Sequence, residues 1–424
     1  MLSRQSSSNI FHACIVLFLA VLCKPSLSLA QGDTWTKKAD MPTARGGLST
    51  CVVNETIYAI GGGTGSSGLA MVQAYDPATN TWTNKSNLPM SRVLFATSVV
   101  DGKIYAIGGI ETGGAPELSI VEMYDPATDT WSRKADMPSR RRILAASAVD
   151  GKIYAIGGYL AGTWLSDVEA YDPATDTWTS KASMPTARGA LATSVVNEKI
   201  YAVGGDNSLE LRIVVEEYDP ATNTWARKTE MPTPKVFPSA ATVNGRLYVF
   251  GGSPNPFPND PVVAIVEEFD PTSNTWTSRA DMPTARAFLA TSTVNEKVYA
   301  IGGFTTGFPY TPTSIVEEYA PSVVTSVESS SQGHRNPRKF VLHQNYPNPF
   351  NPATTIRYAI PKSGFVSLKV YNLHGQEIET IVNTEQAPGE HEVSWNPKNL
   401  ASGVYVYRLQ TEEFVAKKRL ILLQ

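Results

Sequence analysis

Residues Arg92–Gly109 read RVLFATSVVDGKIYAIGG, and the companion stretch Ser119–Lys134 reads SIVEMYDPATDTWSRK. The first opens with Arg92–Val100, an apolar and partly β-branched run. Asp101-Gly102 is the kind of step that closes a two-residue hairpin, and Lys103–Gly109 returns as a second apolar run ending in a diglycine. The companion adds a third strand at Ser119–Tyr124, a Pro-containing turn at Asp125–Asp129 and a fourth strand, Thr130–Lys134, around Trp131. Short strands joined by tight turns predict one four-stranded antiparallel sheet per unit, the form of a propeller blade.

The unit recurs. Diglycines stand at Gly61-Gly62, Gly108-Gly109, Gly157-Gly158, Gly204-Gly205, Gly251-Gly252 and Gly302-Gly303, spaced 47 to 51 residues apart. Trp82, Trp131, Trp178, Trp225 and Trp276 follow the first five by 21 to 25 residues. A unit of this length cannot bury its apolar face alone, so the copies must stack. The last copy stops at Glu317-Glu318-Tyr319-Ala320-Pro321 without a fourth strand, whereas Asp33–Asp40 (DTWTKKAD) is a fourth strand without the other three. Pairing Trp35 beside Ile315–Tyr319 covers the open sheet edge and closes a ring of six blades. The repeated tyrosines (Tyr58, Tyr105, Tyr154 and their equivalents) and the tryptophans are expected to pack blade against blade.

These residues resemble the kelch repeat: strand-diglycine, then V-E-x-Y-D-P-x-T-x-T-W, then x-M-P, across residues 33–320. Departures are Phe269 for Tyr, Gln73 for Glu, and the last Trp, which Trp35 replaces. The expected fold is therefore all-β, a six-bladed kelch propeller followed by a small β-sandwich.

Four segments are expected. Residues 1–30 carry Arg4, the apolar Ile10–Cys23 and a small-x-small site at Ser28-Leu29-Ala30, a secretory signal pattern. The propeller occupies 31–320, a Ser-rich linker 321–339 and a second module 340–424. Removal of the signal leaves Cys51 alone, at a position where other copies carry Ser or Ala, so it reads as a small buried filler. In the second module, strand-like runs occur at Thr355–Ile360, Phe365–Tyr371, Glu390–Trp395, Gly403–Leu409 and Phe414–Leu423. Its phrases FVLHQNYPNPFNP (Phe340–Pro352), VYNLHGQ (Val370–Gln376) and LASGVYVYRL (Leu400–Leu409) resemble the C-terminal sorting domain of the type IX secretion system. That tail is similar to cargo tails of Gram-negative bacteria related to the Bacteroidetes. The resemblance implies Sec export, passage across the outer membrane, the type IX machinery as partner through residues 340–424, and a secreted or outer-surface location. No transmembrane span is expected in the mature protein.

A net charge of −3 gives no electrostatic footprint for nucleic acid. The five histidines, His12, His334, His343, His374 and His391, all lie outside the propeller, which argues against a kelch-type copper oxidase site and a hydrolase triad; no cofactor or metal is expected. The pairs Glu216-Glu217, Glu267-Glu268 and Glu317-Glu318 point to opposite faces of their strands and cannot converge on a substrate. One constellation stands out: Arg45, Arg92, Arg141, Arg188, Lys235 and Arg286 each precede their diglycine by sixteen residues. They form either a basic ring at the channel mouth or a set of structural pairs with repeat glutamates such as Glu122 and with turn carbonyls. The same face carries the loops that differ most between copies, with Tyr159, Trp164, Phe257, Phe304, Phe308 and Tyr310. The expectation is a module that binds a glycan, peptide or protein over that face through the six cations and Tyr159, Trp164, Phe304, Phe308 and Tyr310. The alternative is an enzyme resembling the secreted kelch-type sialic acid mutarotases, an isomerase for which the cations, Asp206 and Glu210 meet an anionic sugar.

Overall fold

The computed structural model describes residues 33–322 and 340–422, apart from positions 66, 112–114, 209–212, 256–260, 308, 344, 346–347, 349, 351 and 398–399. The signal pattern and most of the expected linker lie outside these residues. The chain divides into two compact units at Thr325/Ser326, and no helix occurs among the described residues.

In the specimen unit, Ala96–Val100 and Lys103–Ile107 pair antiparallel across a turn in which Asp101 and Gly102 have φ of 50° and 69°. That two-residue left-handed step matches the natural twist of the strands. Val121–Asp125 and Thr130–Lys134 complete the sheet. The first strand is shorter than the apolar run suggested, because residues 92–95 turn away before it begins. Six sheets in this unit share that order. Their first strands (Ser49–Val53, Ala96–Val100, Ala145–Val149, Ala192–Val196, Ser239–Val243 and Ala290–Val294) touch their neighbours in a closed circuit. We number the sheets as blades 1 to 6 in that order.

Blade 6 is composite. Thr34–Lys37 supplies its fourth strand, with Trp35 opposite Tyr319. The Trp35 indole donates to the Ala280 carbonyl of blade 5 at 3.0 Å, as Trp82 does to Ala39 and Trp178 to Ala135. Asp33 completes the substitution. In other blades an Asn or Asp just before the Trp strand accepts a backbone N–H of the preceding blade, as Asn80 does from Ala39 and Asp129 from Ser86. Asp33 accepts from Ala280 at 3.2 Å and also from the Ser322 N–H and hydroxyl, each at 2.8 Å. The two ends of the propeller are thus tied to each other.

Aromatic rings fill the gaps between blades: Tyr58 of blade 1 meets Tyr124 of blade 2 at 5.9 Å, and Tyr124 meets its own Trp131 at 5.0 Å. Cys51 is buried, with its thiol pushed up to about 12 by burial, so it is inert.

The second unit holds a three-stranded sheet (Val341–Leu342, Thr354–Ile360, Gly389–Trp395) and a four-stranded one in the order Glu377–Gln386, Gly364–Tyr371, Gly403–Gln410, Val415–Leu422. Ile356, Leu368, Val370, Trp395, Leu409 and Leu420 form its core. The strand Glu377–Gln386 was not anticipated. Its sequence EIETIVNTEQ has no run of alternating apolar residues, and its pairing with Gly364–Tyr371 is broken by two register shifts.

Candidate ligand-binding site

The six cations do not form a basic ring at the channel mouth. Arg45, Arg92, Arg141, Lys235 and Arg286 are 0% exposed and Arg188 is 2% exposed. Each turns back into its own sheet. Arg92 donates to Glu122 at 2.6 Å and to the Ala106 carbonyl at 3.1 Å, and Arg286 donates to Glu317 at 2.6 Å. Arg141 pairs with Glu169 and Arg188 with Glu216. Lys235 donates to the Ile265 carbonyl at 2.8 Å with Glu267 at 3.6 Å, and burial pushes its ammonium down to about 8. Blade 1 lacks the carboxylate: Arg45 bonds the neutral Gln73 at 2.9 Å, and burial pushes its guanidinium down to about 10. A charge at a dry position needs a partner within reach, and the glutamate on the third strand supplies one. The structural alternative therefore describes the side chains, with the pairing inside each blade.

The link between blades is made by the backbone of the same residues. The second glycine of each diglycine donates to the carbonyl of the next blade's cation at 2.8–3.0 Å, as Gly62 does to Arg92 and Gly109 to Arg141. A Cβ on Gly108 would lie 2.7 Å from the Arg141 carbonyl, and its φ is +63°. That close approach explains the glycines.

Two residues after each cation, the chain takes a left-handed conformation: Gly47, Leu94, Ile143, Ala190, Phe237 and Phe288, with φ of 49–61°. Their amides form a circle. Each N–H donates to the carbonyl of the equivalent residue in the preceding blade at 2.7–3.2 Å, from Leu94 to Gly47 onward and back from Gly47 to Phe288. Sequence reasoning missed these residues because an apolar residue there reads as strand; their sixfold phase relative to the cation was the available signal.

This apolar circle, not the cations, forms the mouth of the channel. It surrounds a depression of about 120 Å³. Because blade 1 carries only Gly47, the depression widens on that side into a cavity of about 320 Å³. Gly46, Gly47, Gly63, Gly65 and Gly68 form its floor, Leu94, Ile110 and Ile143 one wall, and Phe237, Phe288, Phe304 and Tyr310 the other. The aromatic wall is continuous: Phe237 stacks on Phe288 at 3.6 Å, Phe304 lies 5.5 Å from Phe288, and Tyr310 lies 4.9 Å from Phe304. Gly46 sits directly under Phe304, whose ring a Cβ would meet at 2.5 Å.

Of the expected aromatic contacts, Phe304 and Tyr310 line the cavity. Tyr159 and Trp164 do not; they form a cross-strand pair at 4.9 Å on a short hairpin of blade 3. The Trp164 indole donates to Ser208 at 3.1 Å, and the Arg142 guanidinium covers Tyr159 at 5.1 Å. Phe308, Phe257 and Glu210 lie outside the described residues. Among the described residues no group of His, Cys, Asp or Glu side chains is arranged to hold a metal ion.

Comparison with known proteins accords with this architecture. The KLHDC2/KLHL20/DRC7 Kelch-repeats domain matches residues 85–252, and the Kelch motif matches 44–89 and 234–283. The secretion system C-terminal sorting domain matches 344–423. The chain carries kelch repeats and a sorting tail. No curated protein matches it. Among solved structures, the kelch propeller is similar to the "Structure of YjhT", with a TM-score of 0.58 and 17% identity over 66% of this chain and 95% of that one. At that identity the likeness shows the fold alone. The sorting tail implies export by the type IX route.

Proposed function

We propose that this kelch propeller is an exported binding module that holds its ligand in the cavity of the loop face and performs no chemistry. The observation that carries the reading is backbone strain combined with exposure. Leu94, Ile143, Phe237 and Phe288 occupy left-handed conformations that cost a residue with a Cβ about 1–2 kcal/mol each. Blade 1 uses glycine at the same place, so the circle of amides does not require side chains there. Half-buried apolar side chains kept at strained positions around a cavity suit recognition. Sorting of the tail then delivers the module to the medium or the outer surface.

The reading as a sugar isomerase rests on the six cations together with Asp206 and Glu210; enclosure of all six cations removes the anion-binding part of its support.

The test fills the cavity. Gly47→Phe places at blade 1 the residue that blades 5 and 6 already hold in that conformation. Glycan and peptide arrays probed with the wild-type propeller and with this variant should show ligands lost only from the variant. A ligand bound equally by both proteins would place recognition elsewhere.

A further inference from the structure

Resting on that reading of the cavity, we propose that its occupant is an aromatic side chain of an extended peptide, followed by an acidic residue. Three observations lead there.

The first is size. The cavity of about 320 Å³ is roughly twice the ~150 Å³ apolar cavity that accepts benzene, enough for a two-ring side chain or for one ring and its stem. The second is the chemistry of the walls. Phe288, Phe304 and Tyr310 present ring faces and edges at mutual centroid distances of 4.9–6.0 Å, the spacing at which a further aromatic ring joins a cluster. The facing wall of Leu94, Ile110 and Ile143 is aliphatic. Only Ser67, Tyr310 and Arg142 among the lining side chains carry a polar group for a sugar hydroxyl, and against the rest it would give up its hydrogen bonds to water without replacement.

The third observation concerns what continues beyond the ring. The cavity borders the axial depression, with which it shares Gly47, Leu94, Ile143, Phe237 and Phe288. A ligand anchored by one ring can therefore extend across the mouth, as a chain does and a compact small molecule does not. At the rim stands Arg142, the one charged side chain of the lining among the described residues. Its Nε forms an ion pair with Glu117 at 3.7 Å, longer than a hydrogen bond, and its guanidinium lies over Tyr159. A guanidinium carries five N–H donors, so it can bind a second carboxylate, on the residue next to the anchor, in competition with Glu117.

The experiment uses the mature chain and a capped hexapeptide with a central tryptophan followed by glutamate. Controls are the same peptide with serine for tryptophan, the same with glutamine for glutamate, capped tryptophan alone, and N-acetylneuraminic acid. Binding is read by calorimetry and by methyl shifts of Leu94 and Ile143. The tryptophan peptide should bind at least tenfold more tightly than the serine peptide, shift both methyls, and lose at least tenfold in Gly47→Phe. Arg142→Gln should weaken the glutamate peptide about tenfold and leave the glutamine peptide unchanged. Should Gly47→Phe misfold, Leu94→Phe narrows the same space and should give the same loss. Equal binding of the tryptophan and serine peptides, or full binding retained in both cavity variants, overturns the proposal. Capped tryptophan binding as tightly as the peptide overturns the choice of a peptide. Cavity-dependent binding of N-acetylneuraminic acid without any aryl preference would overturn this inference while leaving the cavity as the binding site.

Discussion

At the scale of single residues, the enclosed cations and the residues that line the mouth stand two positions apart. Arg92 is enclosed and paired; Leu94 faces the mouth. The sixteen-residue phase of the cations was legible in the sequence, but their destination was not, because a sequence places a residue on an element without saying which way a long side chain folds back. Their burial makes two predictions. Arg92→Met leaves Glu122 buried without its cation, and breaking a pair in this way costs about 3–5 kcal/mol; thermal or denaturant unfolding should show it, with ligand affinity unchanged in the folded fraction. Blade 1 offers the opposite change. Gln73→Glu gives Arg45 the carboxylate that every other blade supplies, replacing a neutral acceptor with a charged one. Hydrogen bonds to charged groups exceed neutral ones by about 1 kcal/mol, so the variant should melt a few degrees higher. A lower melting temperature would mean that desolvation of the new carboxylate outweighs its pairing.

At the scale of elements, the hairpins, diglycines and Trp strands were legible because each has a local cause that repeats. The strand Glu377–Gln386 was not, since its pattern is polar and its pairing irregular. The left-handed step at 92–95 hid inside an apolar run that propensity assigns to strand. Closure by Thr34–Lys37 could be read from the displaced Trp35, while the role of Asp33 appears only in three dimensions. Burial works against the Asp33 charge, but hydrogen bonds from the Ser322 backbone and hydroxyl and from the Ala280 backbone outweigh it and hold the carboxyl below its ordinary value of 3.8. A depressed carboxyl contributes stability that is complete above its ordinary value and disappears as the pH falls through the folded-state value. Asp33→Asn keeps one acceptor oxygen where the carboxylate uses two, for Ala280 and for Ser322, so it should lower the neutral-pH melting temperature. It should also reduce the fall in melting temperature on acidification below pH 3.8. An unchanged acid profile would remove Asp33 from the account of closure.

At the scale of the molecule, two units with separate cores predict two separable folds. Residues 31–322 expressed alone should be soluble and melt as the propeller transition of the longer chain does; a marked drop would show that the tail supports the ring. The overall plan was legible because sixfold repetition leaves few ways to bury the apolar faces, whereas the cavity arises where repetition fails, at Gly47 and in the loop glycines. The circle of amides at the mouth has one more consequence. A linear stack of repeats has end members that open first, but a circuit of donors and acceptors that returns to its start has none. In deuterium oxide, the amide protons of Gly47, Leu94, Ile143, Ala190, Phe237 and Phe288 should exchange together, at the slow rate set by whole-domain opening, with no blade acting as the first to let solvent in.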